Sequence, residues 1–385
     1  MRFYRPRDFF ITLLKRFKRA PVQLELDPDS PESSSLKASK RAKFASLKAS
    51  KRAKSTPPKE VKEAKEKKPK PSPEIVRSEL NLEKNAVFAV STYRERSREV
   101  IRTYETDSGS MERRVVVGRA TDGSEVGILT TTHFKLYLAL LELWEKAGKP
   151  VSQPVHFTVL KLIKRLKLVD SGNNYKNMLK SMEGLRSIPI RFIDSFQTKD
   201  GEFRSTGHLS VLSYLDIYER KRRTKGGDKV YGYGEFQFDR HILMSLVENF
   251  THPLRLDVIT SFRKHRELAI LLYTYLDRQL AFRRKFEITL KKLYTQLDLS
   301  QAYITYPSQR KSKIEPVLEQ LIGKELSTGK LSYCETEKTK DGRDYKLVCR
   351  KTGVTQIPAP EPVKLDWSLA LDKLLSQMEQ MKDNR

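Results

Sequence analysis

The chain has 385 residues, 38% of them apolar and 9% aromatic, enough for two ordinary domains with real cores plus a tail. Its 75 Lys and Arg against 48 Asp and Glu give a formal charge of +27. Such a surplus repels itself unless it meets a polyanion, so nucleic acid or an anionic membrane is the leading partner class and a merely soluble basic protein the lesser one. Two cysteines supply neither a zinc-ligand pattern nor a disulfide framework, which suits a reducing compartment.

The start of the chain offers only the apolar run FFITLL between charges, too short for a secretory segment or a membrane span. Residues 8–19 read as a basic amphipathic helix able to dock on a partner or a membrane surface, against a frayed terminus. The expected location is the cytoplasm, with the protein on DNA. Residues 1–78 hold 22 Lys and Arg and 9 Asp and Glu, a net of +13, and from 28 to 73 there is almost nothing to bury. This composition predicts a disordered basic tail. It contains the nonapeptide SLKASKRAK twice, at 35–43 and 46–54, so that equivalent lysines stand about three helical turns apart. Repeat slippage explains the copies as readily as function does. In either case the tail adds salt-sensitive attraction to a polyanion and cannot choose a sequence.

Beyond residue 78 the pattern changes. Residues 113–130 read as a hairpin, with strands at 115–117 and 126–129 joined across Asp122 and Gly123. An apolar helix follows at 131–148, then the short strand PVHF, and Thr158 caps the helix VLKLIKRLKL. A second amphipathic helix spans 171–185, with Tyr175, Met178, Leu179, Met182 and Leu185 on one face. IPIRFIDSF and HLSVLSYLDIYE read as strands flanking the loop QTKDG.

The same order returns further along the chain. An apolar helix at 265–282 precedes the short strand KFEI, and Thr289 caps LKKLYTQLDL. Laid on each other, TVLKLIKRLKL and TLKKLYTQLDL agree at the Thr, one Lys and three Leu. A helix at 308–326 and a hairpin around Asp341 and Gly342 complete the second copy. A two-residue turn there sets Cys334 opposite Cys349, read as a cross-strand pair of small buried thiols. Helix, short strand, helix, helix, hairpin is the order of a winged helix, which places its third helix in the major groove. The predicted fold is therefore α+β. Two tandem winged-helix domains, 79–250 with an extra hairpin and 251–355, follow the basic tail 1–78 and precede a linker and C-terminal helix over 356–385.

The stretches PVHFTVLKLIKRL, SGNNYKNMLKSMEGL, LSYLDIYERKRR, FQFDRHIL, PLRLDVITSFRKHRELAILLYTYLDRQL, RRKFEITLKKL and KSKIEPVLEQL together resemble plasmid replication initiators of the replication initiator protein A type, over roughly 85–352. The resemblance implies binding to repeated sites (iterons) at a plasmid-type origin, opening of an adjacent A·T-rich stretch, and recruitment of the host initiator and replicative helicase. It also allows a homodimer. The long basic tail departs from that pattern, and leaves plasmid, phage and integrated element open as the replicon. A winged-helix transcriptional repressor is the nearest rival.

On the helix at 308–321, Ile314, Val317, Leu318 and Leu321 define the buried face. Gln309, Ser312 and Lys313 then point outward with Arg310 and Lys311 flanking, and Pro316 should kink the helix or start a new turn. Gln reads adenine through two hydrogen bonds, while Lys or Arg reaches guanine or phosphate. The equivalent helix shows Asn173, Asn177 and Lys180, with Lys176 at the edge. Supporting cations are Lys338, Lys340 and Arg343 on the second wing, Arg263, Lys264 and Arg266, and Arg283, Arg284 and Lys285. Lys221, Arg222 and Arg223 form a further loop cluster before Gly226. For each cluster a solvated face is the competing reading.

No enzymatic chemistry is expected. A rolling-circle nickase needs two histidines separated by a single position, but the six here, at 133, 156, 208, 241, 252 and 265, all stand much further apart. No GxxxxGK[ST] loop exists, and the glycines of GGDKVYGYGEF read as a flexible turn. Tyr175 and Tyr231 are assigned to packing rather than nucleophilic attack. Neither a metal nor a cofactor is predicted, and action is by binding and duplex deformation.

Overall fold

The computed structural model describes residues 74–90, 96–106, 109–224, 227–263, 265–299 and 306–353, with 105–109 and 221–231 as backbone alone. The doubled nonapeptide, the segment 8–19, Lys264 and the segment 356–385 lie outside the described residues. The architecture is mixed α+β. β1 (Ile75–Glu79) and α1 (Leu80–Lys84) precede a long hairpin, β2 (Arg98–Thr106) and β3 (Gly109–Val117). Then come α2 (Thr131–Lys146), β4 (Val155–Thr158), α3 (Val159–Arg165), α4 (Gly172–Ser187), β5 (Ile190–Ile193), β6 (Phe196–Gln197), β7 (Phe203–Arg204), β8 (Leu212–Thr224) and β9 (Gly227–Phe238). After α5 (Arg240–Val247), β10 (Thr251–Arg255) and α6 (Leu256–Ile259) the order repeats. It runs α7 (Arg266–Leu280), β11 (Lys285–Thr289), α8 (Leu290–Gln296), α9 (Pro307–Leu321), β12 (Glu325–Leu326), β13 (Gly329–Lys338) and β14 (Tyr345–Thr352).

Each half is organised around one helix that is apolar nearly all round and therefore buried. In α2 these residues are Phe134, Leu136, Tyr137, Leu138, Leu140, Leu141 and Trp144; in α7 they are Ala269, Ile270, Leu272, Tyr273, Leu276 and Leu280. In each half a short strand pairs with the second strand of the hairpin that follows, giving the sheet orders β4-β9-β8 and β11-β14-β13. The helix after the short strand starts from a threonine cap, Thr158 accepting from Lys161 N and Thr289 from Lys292 N. Both helices end alike. Lys167 and Asp298 take positive φ of 54° and 47°, and the flanking amides repeat one bonding pattern, Leu168 N to Ile163 O and Leu299 N to Tyr294 O. This is a Schellman ending, in which a left-handed residue satisfies the last carbonyls. Strand, cap, helix and turn recur at one offset, 289 − 158 = 131.

Other parts differ from the sequence reading. The turn at Asp122 and Gly123 exists, but 126–129 is not a strand. β3 pairs instead with β2 and β5, because the long β2 offers an extended ladder. Lys221, Arg222 and Arg223 sit in β8, paired with Val230, Lys229 and Asp228, and not in a loop. Of the glycines expected to make a flexible turn, Gly227, Gly232 and Gly234 lie in β9. A Cβ on Gly232 would meet the Tyr175 hydroxyl and come within 2.8 Å of Val159 Cγ2, and one on Gly234 would strike the carbonyl of Asp216. Gly232 lets the sheet approach α3 and α4 closely, and Gly234 admits the neighbouring strand β8. β1 falls inside the predicted tail, held by the burial of Val76, Ser78 and Glu79. The two cysteines face each other as the register required, but they are joined as a disulfide rather than held as thiols.

The halves are tied by polar as well as apolar contacts. β1 pairs antiparallel with β10, from Ile75 opposite Arg255 to Glu79 opposite Thr251. From β2, the buried Arg98 bonds both the Asp298 carboxylate and its carbonyl, and Arg102 bonds the Lys84 and Gln296 carbonyls. Arg98 and Arg102 thus satisfy carbonyls at the end of α8, where a cation is also favoured by the helix dipole. Beneath them, fully buried Glu79 caps α1 through Leu82 N at 2.8 Å and accepts from Asn81 at 2.7 Å. His252 lies 3.1 Å from Glu83, and Asp277 accepts the Ser327 amide at 2.9 Å. Among the described residues no helix is long and apolar enough to cross a membrane.

Burial raises the Glu79 carboxyl to about 7. The folded chain therefore holds this proton up to about pH 7, whereas the unfolded chain releases it near the ordinary value of 4.5. This contribution is fully present below the unfolded value and is lost as pH rises through the folded one. Relative to Glu79→Gln, the wild type should lose roughly 2–3 kcal/mol between about pH 5 and pH 8, as read by urea denaturation. Equal pH slopes for the two proteins would remove Glu79 from the account. Separately, Gly232→Val should overpack the α3–β9 contact and lower stability by about 1–3 kcal/mol, measured as a shift in denaturant midpoint.

Candidate nucleic-acid interface

The exposed face of α9 follows from its amphipathic spacing. Ile314, Val317, Leu318 and Leu321 are buried, and Gln309, Ser312 and Lys313 are exposed. Pro307 occupies the first turn, where its missing N–H costs nothing, and the helix runs on through Pro316 rather than starting afresh. Its polar and basic side chains fall in the first two turns, with the carboxylates Glu315 and Glu319 following on the exposed side. A helix inserted in the major groove reads bases with that N-terminal portion.

Arg310 corrects the sequence reading. It faces inward, only 4% exposed, and its guanidinium donates to Asp344 Oδ1 at 2.8 Å. Asp344 lies in the loop between β13 and β14 and also accepts from Lys291 N at 3.3 Å, at the start of α8. One carboxylate therefore fastens α8, α9 and the hairpin loop together. The side chain is structural because a charge on the i, i+4 row of Ile314 must be buried with the row. Lys311 is half-buried, 3.5 Å from Glu315 and 5.0 Å from the Tyr345 ring centroid.

The hairpin loop carries Lys338, Lys340 and Arg343, all exposed. It is longer than the two-residue turn expected: Thr339 N bonds Asp344 O and Gly342 N bonds Thr339 O, with Gly342 at φ 68°. Arg283, Arg284 and Lys285 are exposed but lie elsewhere. Lys285 opposes Arg350, whereas Thr289 opposes Lys346 beside the loop, so the cluster occupies the far end of the same sheet and Lys285 pairs with Glu287. Arg263 is exposed as well.

On α4 the stripe Asn173, Lys176, Asn177 and Lys180 is exposed, over the buried Met178, Met182 and Leu185. Tyr175 packs on Gly232 and donates to Glu219 at 3.3 Å; burial first, then that carboxylate, pushes its hydroxyl up to about 12. Two predicted clusters meet here across the halves. Asn177 and Lys180 of α4 and Arg266 of α7 border a cavity of about 310 Å³, together with Lys135 of α2. His133 stands beside them and bonds the Thr130 amide through Nδ1 at 3.0 Å. Burial, and secondarily Lys180, lowers its ring to about 4, so it is neutral at physiological pH. Lys135 was not singled out from sequence, although a lone lysine inside the apolar run of α2 was a visible signal.

No protein-family model and no curated protein matches the chain. Among solved structures, domains 2 and 3 of RctB align with 13% identity over 70% of this chain and 97% of that one, at a TM-score of 0.46. A second structure of RctB domains 2-3 aligns with 12% identity over 71% of this chain and 97% of that one, at 0.43.

Replacing Arg310 with alanine strands Asp344 and should destabilise the fold by about 3–5 kcal/mol, whereas Gln309→Ala should stay within about 0.5 kcal/mol. Thermal unfolding of the two variants checks the contrast; similar losses would place Arg310 among the surface residues.

Proposed function

We propose that this chain is a sequence-specific DNA-binding replication initiator built on tandem winged helices. It binds repeated sites at a plasmid-type origin, promotes local duplex opening and recruits the host initiator and replicative helicase, acting by binding and not by cleavage. The observation that carries the reading is the repeated unit. A strand-capped helix and a left-handed turn occur twice at one offset, each followed in the same order by a helix with a polar outward stripe and a hairpin. In the second copy Asp344 holds the outward helix and the basic hairpin loop in one frame, the arrangement that groove insertion flanked by phosphate contacts requires. The formal charge of +27 supplies the sequence-independent attraction. The origin-specific steps draw their support from the sequence motifs that resemble plasmid initiators.

In footprinting, the full chain should protect short direct repeats near its own gene. Its affinity should fall by about 10³–10⁵ between about 50 and 200 mM salt. A footprint on one inverted repeat would favour a repressor, and protection of random DNA alone would remove both readings. Gln309→Ala combined with Lys313→Ala should relax sequence preference, whereas deletion of residues 1–70 should weaken binding evenly across sequences. Supercoiled origin DNA should stay uncut with Mg²⁺ or Mn²⁺; a strand-specific nick would reopen the enzymatic alternative.

A further inference from the structure

We propose that the cavity between α2, α4 and the start of α7 binds a nucleoside phosphate. Its rim carries three cations from three helices, Lys135, Lys180 and Arg266, and no carboxylate lines it. None of the three forms a hydrogen bond or ion pair with another described residue. Glu267 acts on Lys135 electrostatically from beside the cavity, without lining it. Lys135 is half-buried, and its ammonium is held below the usual lysine range by burial first and by the Arg266 charge second. Cations gathered in this way repel one another until an anion joins them, and a phosphate with several acceptor oxygens meets that requirement.

The rest of the cavity argues for more than phosphate. About 310 Å³ lies at the lower end of the range for small-molecule sites, and a lone phosphate would leave most of it empty. Leu136, Leu166, Leu168 and Met178 supply apolar lining, and Asn174 and Asn177 line the same cavity as the cations. An apolar face beside amide groups suits a nucleobase, flat and edged with donors and acceptors. Asn174 is already oriented by donating to Val169 O at 2.8 Å. Gly184 admits the His133 ring that backs the site, since a Cβ there would collide with Nε2. Asn177 and Lys180 also belong to the outward stripe of α4, so an occupied cavity and DNA would compete for them. That consequence rests on the proposed function; the binding itself does not.

The test uses the full chain without DNA, titrated calorimetrically with ATP, adenosine and inorganic tripolyphosphate as probes. ATP should bind once per chain, more tightly than either other probe. Lys180→Ala and Arg266→Ala should each weaken it about tenfold or more. Hydrogen exchange should slow on ATP addition at 132–136 and 174–181. Both substituted residues are exposed, so the variants should melt like the wild type; should Arg266→Ala unfold, Lys180→Ala decides alone. Equal affinity for tripolyphosphate would overturn the nucleoside assignment. Affinity unchanged in Lys180→Ala would place the anion elsewhere on the basic surface and overturn the site. A failure of the DNA-binding reading would leave these results as they stand, because no DNA is present.

Discussion

A threonine that ends a strand and caps a helix governs the geometry of both halves. Thr158 is paired with Tyr233 and Thr289 with Lys346, while each side chain accepts from an amide in the first turn of the following helix. The helix therefore cannot swing relative to the hairpin without breaking a cap, at about 1 kcal/mol, and a ladder pair as well. From that fixed start, a short helix and a left-handed turn set where the next helix departs. In the second half Asp344 closes the frame from the other side, joining the hairpin loop to α8 and α9. The outward stripe of α9 and the cations of the loop are thereby parts of one rigid piece. A surface that reads a groove and grips its phosphates needs that rigidity, because misplacement of either part forfeits the other.

The joint between the halves obeys a different logic. It contains Glu79, Glu83, His252 and Asp277, all buried, where an apolar joint of the same size would be at least as stable. Such groups are costly unless partnered, and the partnering is directional: Glu79 accepts from Leu82 N and Asn81, and Asp277 accepts from Ser327 through Oδ1 and lies 4.0 Å from His252 through Oδ2. A joint built from directional bonds accepts one relative placement of its parts. Arg98 and Arg102 add the same constraint from the side, reaching from the first hairpin to carbonyls that close α8. The two copies of the unit are thereby held at one spacing.

Much of this was legible in the sequence because it depended on local chemistry. Thr158 and Thr289 announced their caps, the helical rhythm of Ile314, Val317, Leu318 and Leu321 announced the buried face of α9, and Asp341 with Gly342 set Cys334 opposite Cys349. The misses share a cause: each depends on a partner distant in the chain. REVIRTYET becomes β2 only because β3 lies beside it, and IVRSE becomes β1 only because β10, in the other half of the chain, completes its ladder. Gly232 and Gly234 resemble a flexible turn until α4 and Asp216 are seen pressed against them. Arg310 looks like a DNA-facing cation until Asp344, beyond the next hairpin strand, is found to claim it.

Net charge alone does not locate the cations that the fold leaves for a ligand. Of the cations gathered near α9, Arg310 is consumed by the fold, Lys311 is shared with Glu315 and Tyr345, and Lys285 with Glu287 at the opposite end of the sheet. Among the described residues, the number of positive charges therefore exceeds the number available for a ligand. One cationic group is the loop carrying Lys338, Lys340 and Arg343, beside the polar stripe of α9. Another is the rim formed by Lys135, Lys180 and Arg266, where two halves of the chain contribute cations to one concavity. α4 borders that concavity while α9 lies beside the basic loop, so the two copies of one unit present different surroundings.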